Sequence, residues 1–107
     1  MSDLVPIIID LNVDKNKIDE SWLKMFGGWT KLLLKYMFGG MSPKAKIRGT
    51  PPQISSFMDA LGGEKRYMDS FLRHGLDDER TLSSRARLGT AVSRFERETG
   101  LRWPFTN

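Results

Sequence analysis

The strongest pattern in the chain is the recurrence of apolar residues at steps of three and four between residues 18 and 38. On a helix that turns ~100° per residue, nine of these side chains form one broad stripe. They are Ile18, Trp22, Met25, Phe26, Trp29, Leu32, Leu33, Tyr36 and Met37. Lys24, Lys31 and Lys35 lie roughly opposite the stripe, so the pattern predicts an amphipathic helix over residues 17–38.

Gly27–Gly28 interrupts this helix pattern and costs about 2 kcal/mol of helix stability relative to two alanines. The segment therefore forms either one continuous or kinked helix, or two short helices in a hairpin. We expect the first, because the stripe keeps its phase across the two glycines. Asp14 or Asn16 is expected to cap the helix, and Asp19 and Glu20 complement its positive end.

The residues before this helix, Leu4 to Val13, are typical of an extended segment. Ile7-Ile8-Ile9 is β-branched, and Pro6 suits an edge strand. After the helix, Gly39–Pro43 indicates a linker. Basic and apolar residues then alternate over Lys44–Arg48, which predicts a second short strand.

Three further helices are expected beyond this strand. At the start of the first helix, Thr50 and Gln53 are expected to form a capping box, and Pro51 suits the first helical position. Gly62–Gly63 is expected to end this helix. The second runs from about Glu64 to His74, with Gly75 and Leu76 predicted to close it as a Schellman motif. The third begins at Ser83 or Ser84, and Gly100 and Leu101 are expected to close it in the same way. An apolar tail that contains Leu101, Trp103 and Phe105 follows, and it is expected to complete a small core with these helices. The predicted fold class is α+β and mostly helical, with residues 1–40 as a docking arm (strand 4–13, helix 17–38) and residues 41–107 as a small helical module.

The residue types argue against catalysis. The 107 residues include no cysteine and one histidine, His74, which suits the negative end of a helix. No spacing resembles a set of metal ligands, and no glycine pair has the context of a phosphate loop. The sequence therefore predicts no enzyme activity and no cofactor. It also lacks a run of ~18 uncharged apolar residues that would predict a transmembrane helix.

The basic residues are concentrated in the second part of the chain. Residues 1–40 have no net charge, whereas residues 41–107 carry the whole excess of +4. Lys44, Lys46 and Arg48 share one face of the predicted strand. Arg85 and Arg87 fall in the first turn of the last predicted helix, where an anion would relieve their conflict with the helix dipole. These five residues are candidates for contact with phosphates, including non-specific nucleic acid, or with an acidic neighbour.

The apolar stripe together with the N-terminal strand is the candidate for binding other protein subunits, of the same or another kind. The predicted contact residues are Ile7, Ile9, Trp22, Met25, Phe26, Trp29, Leu32, Leu33 and Tyr36. The two tryptophans are the candidate anchors of such an interface, because tryptophan is enriched at binding hot spots. A membrane-surface helix has a similar pattern, but amphipathic helices more often pack on protein, so a membrane surface is the less favoured partner.

Three stretches of the second part carry a resemblance to a known group of proteins. They are residues 64–68 (EKRYM), residues 74–78 (HGLDD) and residues 95–105 (FERETGLRWPF). Over roughly residues 44–105, the chain resembles small structural-type proteins of tailed bacteriophages. The resemblance implies a virion component assembled in the host cytoplasm. The leading prediction is thus a non-enzymatic assembly subunit of a phage virion. The alternative is a small cytoplasmic protein that binds DNA or a host regulator.

Overall fold

The computed structural model describes residues 7–13, 15–40 and 45–105. Strand β1 spans Ile7–Asp10, and a 3₁₀ turn at Lys15–Lys17 leads into helix α1, Glu20–Phe38. Strand β2 spans Ala45–Arg48. Two long helices follow, α2 over Pro51–His74 and α3 over Glu79–Thr99. The predicted class, α+β and mostly helical, is confirmed. Residues 4–6 of the predicted strand and Lys44 lie outside the described residues.

Both predicted strands form, although the first ends at Asp10 and not at Val13 as expected, and they pair with each other. β1 and β2 run parallel, with Ile7 opposite Ala45 and Ile9 opposite Ile47. Parallel neighbours need a crossover connection, and α1 lies in that connection. Along β1 the side chains alternate, so Ile7 and Ile9 are buried whereas Ile8 is 47% exposed.

Helix α1 starts later than predicted. Its N-cap is Asp19, whose side chain accepts a hydrogen bond of 2.8 Å from the backbone N–H of Trp22, so the expected cap at Asp14 or Asn16 is wrong. The helix runs through Gly27–Gly28 to Phe38 without a break, which confirms the expectation of a single helix. A Cβ at Gly27 would lie 3.5 Å from the Cβ of Pro104, so the C-terminal tail packs closely there.

Between residues 45 and 105, the structure has two helices where three were expected. Thr50 and Gln53 form the predicted capping box, but α2 continues through Gly62–Gly63 to His74. Gly63 faces α3 closely, since a Cβ there would lie 3.3 Å from Cδ1 of Leu88. Packing of this kind outweighs the intrinsic cost of about 1 kcal/mol for a glycine inside a helix.

Helix α3 also starts earlier than predicted. Asp78 caps it by accepting a 2.9 Å hydrogen bond from the backbone N–H of Arg80, so the expected start at Ser83 or Ser84 is wrong. Gly100 ends the helix in the left-handed conformation, with φ of 74°, and Leu101 is buried as expected. The Schellman close predicted at Gly75 is wrong, because Gly75 has ψ of 168° and Leu76 is exposed.

A single apolar core joins the two predicted parts of the chain. The buried residues are Ile7, Ile9 and Leu11; Phe26, Leu33 and Leu34; Phe57, Ala60 and Leu61; and Phe95, Leu101 and Trp103. Phe95 lies at the centre, with ring centroids 6.2 Å from Phe26, 5.9 Å from Phe57 and 5.1 Å from Trp103. The described residues of the predicted docking arm are thus part of this core, and the boundary at residue 40 does not separate two packing units.

Candidate interaction surfaces

The structure divides the nine predicted contact residues into two groups. Four of them are buried in the core, so the prediction that they contact a partner is wrong and their role is structural: Ile7, Ile9, Phe26 and Leu33. The other five keep part of their surface open: Trp22, Trp29, Leu32 and Tyr36 are half-buried, and Met25 is 53% exposed. Any docking on this side of the molecule depends on this second group.

A shallow pocket of about 200 Å³ lies between β1 and α1. Its lining includes Ile8 and Ile9, and its helix side consists of Trp22, Met25, Phe26 and Trp29. Consecutive strand residues point to opposite faces, so a pocket that both Ile8 and Ile9 line must lie at the strand edge. No β2 residue lines it, which places it at the edge of β1 away from β2.

This edge of β1 also directs backbone groups outward. Leu11 donates its backbone N–H to the carbonyl oxygen of Arg48 at 2.7 Å, so Leu11 faces β2. Alternate residues of a strand direct their N–H and C=O groups to opposite edges, and those of Ile8 and Asp10 therefore point away from β2. Within the described ranges, no strand pairs with that edge. We name Ile8, Asp10, Trp22, Met25 and Trp29 the edge surface.

A larger cleft of about 650 Å³ opens between α1 and α2. Its walls are mostly apolar or aromatic: Leu34 from α1; Tyr67, Met68 and Phe71 from α2; and Phe105 from the tail. Three charged residues complete it: Lys31, Glu64 and Arg85. We name these eight residues the α1–α2 cleft. Its volume is in the range typical of ligand pockets.

Glu64 is the buried charged residue of the cleft, with only 6% of its surface exposed. The indole Nε1–H of Trp103 donates to its Oε1 at 2.9 Å. Burial raises the pKa of Glu64, and the hydrogen bond from Trp103 lowers it in part. The backbone N–H of Trp103 also donates to Glu96 Oε2 at 2.9 Å, so two carboxylates fix the tail against the helices.

Lys31 and Arg85 differ from Glu64 because both are exposed at the cleft. Neither forms an ion pair with another described residue. The sequence pattern placed Lys31 on the water-facing side of α1, which agrees with its exposure. That pattern gave no sign that Lys31 and Arg85, distant in sequence, would line one cleft.

The connection between α2 and α3 carries exposed leucines beside acidic residues. Leu72, Leu76 and Leu82 are 75%, 55% and 50% exposed. Asp77 and Glu79 are exposed and have no ion-pair partner among the described residues. We name these five residues the hairpin tip.

Two hydrogen-bonded contacts hold the hairpin tip in shape. Asp78 pairs with Arg80 at 3.0 Å, and the Arg80 side chain and backbone N–H together lower the pKa of Asp78 to about 2. A hydrogen bond of 3.1 Å between the hydroxyls of Ser70 and Thr81 joins the two helices close by. The hairpin tip is thus a defined shape with apolar and acidic groups facing outward.

The predicted basic residues do not line one site. Lys46 and Arg48 are exposed on β2, Arg85 lines the α1–α2 cleft, and Arg87 is exposed outside its lining. Because α3 begins at Glu79, Arg85 and Arg87 lie in its second and third turns, beyond the reach of the helix-dipole effect. The conflict that suggested an anion at the start of this helix is therefore absent.

The Glu64–Trp103 pair was missed by sequence reasoning. The available signal was chemical: a buried tryptophan usually finds an acceptor for its indole N–H, and Trp103 was already expected in the core. The missing information was which acceptor lies beside it, since 39 positions separate the two residues.

Among the described residues, no three histidine or acidic side chains are close enough to hold a metal ion. His74 is exposed at the end of α2. No helix in the described ranges combines the length and apolarity needed to cross a bilayer. Comparison with protein-family models, with curated proteins and with solved structures finds no match for this chain.

Proposed function

We propose that the protein is a non-enzymatic structural subunit of a multi-copy assembly and that it docks on a second copy through the edge surface. The observation that carries the proposal is the outward-facing edge of β1, which combines backbone donors and acceptors with an apolar pocket. The N–H and C=O groups of Ile8 and Asp10 are the hydrogen-bonding part, and Trp22, Met25 and Trp29 are the apolar part.

An edge strand of this kind favours the addition of another strand. Its unsatisfied backbone groups form a template for pairing, which many monomeric proteins block with a central charge, a proline or a bulge. β1 instead carries three isoleucines in succession, and its charged residue, Asp10, comes only at its end. Across a two-fold axis, β1 of a second copy would pair antiparallel and extend the sheet to four strands.

The apolar groups beside the edge support the same interaction. In strand addition, backbone hydrogen bonds supply affinity and pockets for alternate side chains supply specificity. An incoming apolar side chain fits the pocket between Trp22 and Trp29, where Met25 adapts readily because its side chain is unbranched. The resemblance to small proteins of tailed bacteriophages favours a virion as the assembly.

The test compares two methionines that are almost equally exposed. Met25 is 53% exposed on the edge surface, and Met58 is 48% exposed on α2. We expect the full-length wild-type chain to associate with rising concentration, as measured by light scattering and analytical ultracentrifugation. Met25→Glu is expected to weaken this association, because it places a carboxylate in the apolar contact, whereas Met58→Glu leaves it unchanged.

Circular dichroism and thermal unfolding check that both variants retain the fold. Equal effects of the two substitutions on association would contradict docking through the edge surface. A wild-type chain that stays monomeric at the highest attainable concentration would contradict the assembly function itself.

A further inference from the structure

We infer that the α1–α2 cleft of one copy receives the hairpin tip of a second copy. This inference rests on the proposed assembly function and adds a second, separate contact to it. The cleft and the tip complement each other in polarity and charge.

The apolar lining of the cleft matches the exposed leucines of the hairpin tip. The cleft provides about 650 Å³ lined by Leu34, Tyr67, Met68, Phe71 and Phe105. The tip projects three exposed leucines, and Leu76 lies in the loop between α2 and α3. A leucine of the tip fits this cleft with room for its neighbours, and burial of such a side chain is strongly favourable.

The charges correspond as well. The cleft has two exposed cations without ion-pair partners among the described residues, Lys31 and Arg85, and the tip has two such anions, Asp77 and Glu79. Asp78 does not enter this comparison, because its carboxylate caps α3 and pairs with Arg80. Glu64 also lines the cleft, but it is buried, and its Oε1 accepts the indole N–H of Trp103.

Within one chain the two halves of this contact remain unused. The tip leucines are exposed, and neither Asp77 nor Glu79 lines the chain's own cleft. The ion pair between Asp78 and Arg80 and the Ser70–Thr81 hydrogen bond hold the tip in its present shape. The contact therefore requires a second molecule.

Two symmetries are compatible with this contact. Cleft and tip are different surfaces, so reciprocal docking across a two-fold axis forms both contacts twice in one dimer. Docking in one direction only produces a ring or an open chain. Either arrangement uses the same residues, and together with pairing at the edge surface it links copies into larger assemblies.

A charge exchange tests the inference in the full-length chain. Arg85→Glu is expected to weaken self-association about tenfold, since it replaces each attraction to the tip by repulsion, and tenfold corresponds to about 1.4 kcal/mol. Asp77→Arg is expected to weaken it similarly. The double variant, Arg85→Glu with Asp77→Arg, should restore association to near the wild-type level.

Arg87→Glu is the matched control, because Arg87 is exposed on the same helix and does not line the cleft. It should leave association unchanged. Equal effects of Arg85→Glu and Arg87→Glu would overturn the inference. Loss of association in Arg85→Glu without recovery in the double variant would also overturn it, because the cleft would then hold an occupant other than the tip.

The outcome also distinguishes the inference from the proposed function. If Met25→Glu weakens association and the Arg85 and Asp77 variants do not, the edge surface stands and the cleft contact is wrong. The opposite result retains the cleft contact and contradicts docking through the edge surface. A wild-type chain that is always monomeric contradicts both.

Discussion

Replacing Trp103 by phenylalanine tests how the C-terminal tail stabilises the fold. Trp103 is buried against Phe57 and Phe95, and its indole donates a 2.9 Å hydrogen bond to the buried carboxylate of Glu64. Phenylalanine keeps an aromatic ring at this position but removes the donor and part of the ring volume. The substitution therefore separates the polar contribution of the tail from most of its apolar contribution.

The expected cost has two parts. Loss of a hydrogen bond to a charged, buried acceptor costs about 1.5–3 kcal/mol. The volume lost between indole and phenyl leaves a small cavity that costs about 1–2 kcal/mol. We therefore expect Trp103→Phe to lower the free energy of unfolding by about 2.5–5 kcal/mol, a large share of the 5–15 kcal/mol typical of a small domain.

A double-mutant cycle with Glu64→Met isolates the hydrogen bond. Methionine suits the apolar surroundings of Glu64 and removes the buried charge. In that background Trp103→Phe should cost only about 1–2 kcal/mol, because no carboxylate is left without its donor. Urea unfolding followed by circular dichroism measures all four free energies. Costs of Trp103→Phe that agree within about 0.5 kcal/mol in the two backgrounds would refute this account.

The same cycle has a defined pH dependence. Burial holds the pKa of Glu64 above its ordinary value of 4.5, so the folded chain binds this proton more readily than the unfolded chain. The contribution of Glu64 to stability is thus greatest below pH 4.5 and falls as pH rises through the folded-state pKa. The Trp103 hydrogen bond lowers that pKa, so its loss costs more at neutral than at acid pH. In the Glu64→Met background the cost of Trp103→Phe should not change with pH.

Three further predictions concern two glycines and the cap of α3. Gly28→Ala should raise the free energy of unfolding by about 0.5–1 kcal/mol in chemical denaturation, because nothing lies within 4 Å of its Cβ position. Gly63→Val should lower the free energy of unfolding by about 1–3 kcal/mol in the same measurement, because its Cβ would crowd Leu88. Asp78, with its pKa lowered from 3.8 to about 2 by Arg80, contributes stability above pH 3.8 that is lost as pH falls through about 2. Asp78→Asn keeps a capping side chain but should not show this loss in acid unfolding, and a parallel loss in both proteins would contradict the role of the ion pair.

Local hydrogen-bond chemistry accounts for the features that sequence analysis predicted correctly. The side chains of Thr50 and Gln53 accept hydrogen bonds from each other's backbone N–H groups at the start of α2. Because the two residues are only three positions apart, this capping box can be recognised from the sequence alone. Gly100 supplies the left-handed conformation that ends α3, for an equally local reason. The two strands could also be predicted from the local pattern of residues. Their pairing with each other could not, because α1 and the residues after it separate the strands in the sequence.

The glycine pairs show why local pattern fails elsewhere. Gly27–Gly28 and Gly62–Gly63 both lie inside helices, although the second pair was expected to end one. The difference between a break and a continuous helix depends on neighbours from distant parts of the chain. Pro104 lies near Gly27, and Leu88 near Gly63. A helix continues through a glycine where the free energy gained from such packing exceeds the helix-propensity cost of about 1 kcal/mol per glycine. The sequence alone does not reveal that packing.

The apolar stripe of α1 was ambiguous for a related reason. A periodic stripe shows which side chains leave water, but burial in the chain's own core and burial against a partner give the same period. The parallel pairing of β1 with β2 resolves the ambiguity, because it places Ile7 and Ile9 over the core beside Phe26. Assembly through this side therefore depends on what the core leaves uncovered, which is Met25, the partly covered tryptophans and the outward edge of β1. Removing residues 1–40 would destroy the core together with that surface, so substitutions at exposed positions are the way to separate folding from association.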